Sequence, residues 1–238
     1  MSVQWEAAWQ AVIHHPLFGV AVTLAAFQLS YAAYEKTRWV FLQPVLVSML
    51  MVVGVLLACG LGYEDYRLSA QMLTVMLGPA TVALAVPLYL NLRRIRELFG
   101  PIMITLLVGG ITATALGIAL AWVFGADRMV LMTLAPKSVT SPIAMLVAEQ
   151  IGGVVALAAV FVMITGILGA IFGPELLRRF GVQHPAARGM ALGLTAHAVG
   201  TAQALQESEE CGAFAALAMS LMGVLTAVLL PLAVSLSL

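Results

Sequence analysis

The chain has 238 residues, 62% of them hydrophobic and 9% charged, with a formal net charge of zero and a mean hydropathy of +1.04. So much apolar surface excludes a soluble globular protein and predicts a multi-pass protein of the lipid bilayer. The lack of a basic tract excludes nucleic acid as a partner, since phosphate neutralisation needs clustered Lys and Arg, and no polar stretch is long enough for a separate catalytic domain.

The N-terminal stretch, with Trp5, Glu6, His14 and His15, lacks the positive start and small-residue cleavage site of a secretory signal, and the expectation is that it stays in the mature chain. Apolar runs at about 16 to 34 and 41 to 60 are long enough to span the ~30 Å hydrocarbon core. The next run, about 70 to 92, carries Pro79 and Pro87 and reads as an interrupted helix or re-entrant hairpin. An arginine-rich stretch of Asn91, Arg93, Arg94, Arg96 and Glu97 follows and reads as a topology-setting loop. A further span is expected at 101 to 124.

Residues 128 to 150 then repeat the pattern of a prolyl break. Pro136, Lys137, Ser138, Thr140, Ser141 and Pro142 lie in one short stretch, and Glu149 and Gln150 close the segment. An ammonium near mid-membrane costs about 2.5 to 3.5 kcal/mol on insertion scales, so Lys137 calls for a partner or a ligand unless it snorkels to the interface. Glu149 is either that partner, a proton-coupling carboxylate, or an ordinary helix-end acid in solvent. Spans at 154 to 173 and 212 to 235 flank a thinner one at 188 to 205, rich in Ala, Gly and Thr and carrying His197 and Thr201. Its small residues suit a protein-packed helix, with His197 either a satisfied core histidine or a titrating group.

Residues 77–87 can be laid on 134–142 with the first proline aligned, and a glycine-bearing span follows each. The single membrane domain is therefore expected to hold two inverted repeats, about 70–125 and 126–175, as transporters with paired broken segments do. Six spans plus two hairpins place Arg67, Arg93, Arg94, Arg96, Arg178, Arg179 and Arg188 on one face, against Lys36, Arg38 and Arg128 on the other. The positive-inside rule then predicts both termini in the cytoplasm. Pro79, Thr81, Pro136, Lys137, Ser138, Thr140 and Ser141 are the expected anion-binding set. Glu149, Gln150, His197 and Thr201 are the expected coupling and supporting residues. Cys59 and Cys211 belong to no metal-ligand spacing, and nothing has the spacing of a nucleophile and base, so no metal, cofactor or enzymatic activity is expected.

The strings LGPATVALAVPLY at 77–89, PKSVTSPIAM at 136–145, EQIGG at 149–153, HPAARGMALG at 184–193 and HAVGTAQAL at 197–205 resemble the signature stretches of the LrgB/CidB family. The resemblance runs from about residue 10 to the end. It implies an inner-membrane protein described in bacteria as antiholin-like, acting with a holin-like LrgA/CidA-type partner in control of murein hydrolases. It equally implies a carrier of pyruvate, glycolate or glycerate, by similarity to one half of the plant plastid glycolate/glycerate translocator. Of the two, the residues favour the carrier, because a pore former needs only oligomerising helices whereas paired Pro-broken hairpins with a buried lysine suit a bound small anion; with what the resemblance implies, the expectation is a carrier of small monocarboxylates, as a homodimer.

Overall fold

A computed structural model describes residues 2–37, 39 and 42–236, and the side chains of all of these except 2–5, 7 and 81. Among the described residues every regular element is a helix. This follows from the solvent: hydrocarbon offers the backbone no hydrogen-bond partners, so each segment must satisfy its own. The chain divides into two compact units, residues 1–83 and 84–238.

The first unit holds α1 (Ser2–Ile13), α2 (Phe18–Thr37), α3 (Pro44–Cys59), α4 (Tyr63–Ser69) and α5 (Gln71–Ala83). Gln43 starts α3 by accepting from the Leu46 N–H at 2.8 Å, and Gly60, at φ +66°, ends it in the left-handed conformation that glycine tolerates. The chain then bends by 114° into α4. Tyr66 of α4 reaches back to Thr23 of α2 at 2.9 Å, and the Gly19 N–H donates to Ser69 Oγ at 3.2 Å. Arg38, one of the charges in the topology argument, lies outside the described residues.

The second unit holds α6 (Ala85–Leu90), α7 (Leu92–Glu97), α8 (Phe99–Val123), α9 (Arg128–Leu134), α10 (Ser141–Gln150), α11 (Val155–Arg179), α12 (Pro185–Glu207) and α13 (Glu209–Leu236). Its core joins Ile102 and Leu106 of α8, Val162 of α11, Met190 and Leu194 of α12, and Phe214, Ala218 and Met222 of α13. α12 packs against α13 at backbone contact. A Cβ on Gly189 or Gly193 would strike the carbonyl of Cys211 or Ala215, so glycine at both positions sets the approach.

Among the described residues four helical segments are long and apolar enough to cross a bilayer: Gln71–Leu90, Phe99–Val123, Val155–Arg179 and Glu209–Leu236; the bent pair α3 and α4 would make a fifth. The chain is a polytopic all-α membrane protein. Of the two readings of 70–92, the first of these segments fits the interrupted helix, parted at Leu84 between α5 and α6, and not the re-entrant hairpin. Pro79 sits inside α5 without ending it, at the cost of one backbone hydrogen bond. Pro87 is the third residue of α6, where its missing N–H falls among the first-turn donors that have no intrahelical acceptor in any case.

Candidate functional site

The hairpin expected at 128–150 is present. Asp127 starts α9 by accepting from the Val130 N–H at 2.8 Å. After Leu134 the helix gives way to tight turns, with the Lys137 N–H on the Leu134 carbonyl and the Val139 N–H on that of Pro136. Thr140, extended at ψ 149°, is the N-cap of α10, and Pro142 fits the first turn of that helix. The chain then doubles back: the Val154 N–H donates to Thr133 Oγ1 at 2.8 Å, although 21 residues separate them. A continuous helix of that length would hold them ~31 Å apart.

Lys137 stands at the turn. Its side chain crosses to α8, where Nζ donates to the Ala113 carbonyl at 2.9 Å, and a Cβ on Gly117 would stand 2.9 Å from both Cε and Nζ. Among the described residues no carboxylate pairs with it; the ion pairs all involve arginines elsewhere. An ammonium has three donors and a full charge, and one peptide carbonyl compensates neither completely. Ser138 is buried beside it at 4% exposure, and Thr140 and Ser141 continue the hydroxyl-bearing turn. Glu149 and Gln150 lie exposed at the far end of α10. Of the readings open for Glu149, the structure therefore removes that of partner to Lys137, because a ten-residue helix separates the hairpin's turn from its mouth.

The second broken element is one that sequence reading takes for a crossing. Arg188 and Glu207, 19 residues apart and at opposite ends of α12, form a two-pronged ion pair at 2.7 and 2.9 Å. A straight helix would part them by ~28 Å. The helical geometry fails at His197 alone, with φ 43° and ψ −128°. The arm 185–196 runs in the direction of α13, Gly189 beside Cys211 and Gly193 beside Ala215; the arm 198–207 runs against it, with Leu205 on Gly212. α12 is thus a re-entrant hairpin rather than a sixth span. No proline marks it, which is why composition alone misses it.

His197 is 3% exposed and in a backbone region that a side chain of its kind occupies only at a cost of about 1 to 3 kcal/mol. Two contacts hold it there. Nε2 donates to the Val162 carbonyl of α11 at 3.0 Å, and Thr201 Oγ1 donates to the His197 carbonyl at 2.8 Å. The second bond ties the start of the arm 198–207 to the break.

α11 shows that the hairpins enter from opposite ends. It begins where α10 ends, at the mouth of the first hairpin, and its far half descends along the arm 185–196: Val162 meets His197, Gly169 meets Ala196 and Gly173 meets Leu192. Its last turn therefore reaches the mouth of the second. α8 repeats the arrangement. Arg94, just before it, contacts His184 at 3.1 Å and Glu210 at 3.5 Å at the second mouth, and its C-terminus leads into α9 at the first. The turns approach each other between these helices. Leu194 rests on Gly109 and Lys137 on Ala113 and Gly117, successive positions of one α8 face spaced roughly 6 Å apart. Val139, Val162 and Leu194 share one buried cluster.

Pro79 and Thr81 lie in α5 of the first unit, within an unbroken helix, and the side chain of Thr81 lies outside the described residues. An apolar groove of about 270 Å³ between α8 and α13, lined by Leu106, Ile111, Leu225 and Leu229, has only Thr114 and Thr226 as polar side chains and offers a carboxylate nothing.

The LrgB-like family profile matches residues 23–236. The chain belongs to this family. It is 36% identical over 215 residues to the uncharacterized protein YxaC of Bacillus subtilis, covering 90% of this chain and 94% of that one. Over 205 residues it is 36% identical to YwbG of the same organism, covering 86% and 91%. The antiholin-like protein LrgB of Bacillus mycoides is 30% identical over 218 residues, covering 91% and 95%. No solved structure matches.

Proposed function

We propose that this LrgB-like protein is a carrier of small monocarboxylates, of the pyruvate, glycolate or glycerate type, working by alternating access. The observation that carries the reading is the cation of Lys137, unpaired by any acid among the described residues, at the turn of one of two opposed re-entrant hairpins. A carboxylate there would meet the ammonium, the hydroxyls of Ser138, Thr140 and Ser141, and the N-terminal end of α10, whose partial positive charge adds to the attraction. Broken helices meeting inside a membrane domain are the arrangement through which carriers expose a site to one side at a time.

The charge distribution supports an orientation. Within the second unit Arg93, Arg94, Arg96, Arg178, Arg179 and Arg188 all fall at the end bearing the mouth of the α12 hairpin, while Arg128 falls at the other. The positive-inside rule puts the arginine-bearing end in the cytoplasm of the inner membrane. α13 starts at that end and runs to the opposite one, where Leu230 and Val234 pack on the α9–α10 hairpin. In this reading α13 ends on the outer side, whereas the reading of six spans puts both termini in the cytoplasm.

Uptake of radiolabelled pyruvate and glycolate into proteoliposomes tests the reading. Saturable uptake that is lost in Lys137→Ala and Lys137→Gln is the expected result; correctly folded protein that moves no carboxylate overturns it. The second reading is an antiholin-like regulator assembled with an LrgA/CidA-type partner, and it draws its support from the relatives in Bacillus mycoides and Bacillus cereus, which are named antiholin-like protein LrgB. A regulator of that kind would act without Lys137.

A further inference from the structure

The two hairpins have related sequences at a constant spacing of 60 residues. Without any gap, Arg128, Leu134, Val139, Ala144, Glu149 and Gly152 fall on Arg188, Leu194, Val199, Ala204, Glu209 and Gly212, and Ala156-Leu157-Ala158 falls on Ala216-Leu217-Ala218. In the same register Ser141 falls on Thr201, and Lys137 falls on His197. The two residues at the turns are thus equivalent, and each hairpin is followed by a long apolar helix, α11 or α13. The correspondence also extends to packing. Lys137 reaches a carbonyl of α8, the long helix before its hairpin, and His197 reaches a carbonyl of α11, the long helix before its own.

A single crossing helix between two re-entrant copies necessarily inverts the second relative to the first. We infer that the hairpins are inverted copies of one unit, and that the turn at His197 forms the second wall of the carboxylate site at Lys137, each hairpin closing that site from its own side of the membrane. The inference rests on the carrier reading. It assigns to the site a segment, 196–201, that lies 60 residues from the lysine and carries no charge of its own at neutral imidazole. His197 acts here as a positioning residue: its bond to Val162 fixes the turn against α11, close to where Val139 of the first hairpin joins the same buried cluster.

The test uses the full chain with Cys59→Ala and Cys211→Ala as background and one new cysteine at a time. Gln150→Cys and Gln206→Cys report the exposed mouths, and Thr140→Cys and Ala198→Cys report the turns. In proteoliposomes of fixed orientation, a membrane-impermeant maleimide is expected to modify the two mouth positions from opposite sides. In purified protein, pyruvate is expected to slow modification at both turns, with the same half-protecting concentration. Modification of both mouths from one side overturns the inversion. Protection of Thr140→Cys without Ala198→Cys, or of neither while uptake persists, overturns the shared site and leaves the carrier reading standing. Absence of both protection and uptake overturns the carrier reading together with it.

Discussion

The two turns reach the same geometry by different chemistry. At 135–140 the sequence itself forbids a helix, because Pro136 and Pro142 remove donors and crowd the preceding residues. At His197 nothing local forbids one. There the break is held by one tertiary bond, from the ring to the Val162 carbonyl, together with a local bond from Thr201 Oγ1 to the His197 carbonyl four residues back, and these offset the strain of φ 43°. α5 gives the converse case, a proline that the helix simply absorbs. A proline is thus neither necessary nor sufficient for a membrane break; partners for the freed backbone groups decide it.

The largest expected effect separates the charged turn from the neutral one. Removing a buried charge that binds an opposite charge costs 2 kcal/mol or more, so Lys137→Ala should reduce uptake at low pyruvate by about 30-fold to 1,000-fold. Lys137→Arg should retain part of it. Next is the close approach that seats the second hairpin. In Gly193→Val the side chain would collide with the Ala215 backbone, and a loss of ~3 kcal/mol, seen as early thermal unfolding in detergent, is expected. No comparable loss should follow Gly117→Ala, where the neighbour is the movable end of Lys137.

Smaller effects probe the mouth and the break. Arg188 and Glu207 are only 17% and 23% exposed, so Arg188→Ala should cost about 2 kcal/mol, and the charge exchange Arg188→Glu with Glu207→Arg should restore part of it. Thr201→Val removes the hydroxyl bond to the His197 carbonyl and should cost about 1 to 2 kcal/mol if the proline-free break depends on that bond; an unchanged unfolding temperature would show that it does not. Arg93→Ala, whose side chain is 94% exposed, should leave the unfolding temperature unchanged.

The sequence announces much of this. Hydropathy alone gives the class and three of the crossing helices, and the prolines with Lys137 mark the first hairpin. It does not reveal the second, since a hairpin of small residues folded onto α13 reads as a thin span until the pairing of Arg188 with Glu207 is known. Nor could it place Ala113, Gly117 or the Val162 carbonyl, because small residues and backbone atoms acquire their roles only from what lies across from them. Glu149 attracted attention as the acid nearest Lys137 in sequence, but a helix between them carries it to the mouth.

α11 has a mechanical meaning beyond its role as a spacer. It is joined by short covalent links to the first hairpin at one end and to the second at the other, and it is hydrogen-bonded near its first third to the second hairpin's turn. In the proposed carrier such a strut would couple movement at one mouth to movement at the other. In that carrier the His197–Val162 bond and the 25-residue helix would both stand against simultaneous opening of the two mouths. In the proposed carrier the same strut that arranges the site would also guard the membrane against a leak.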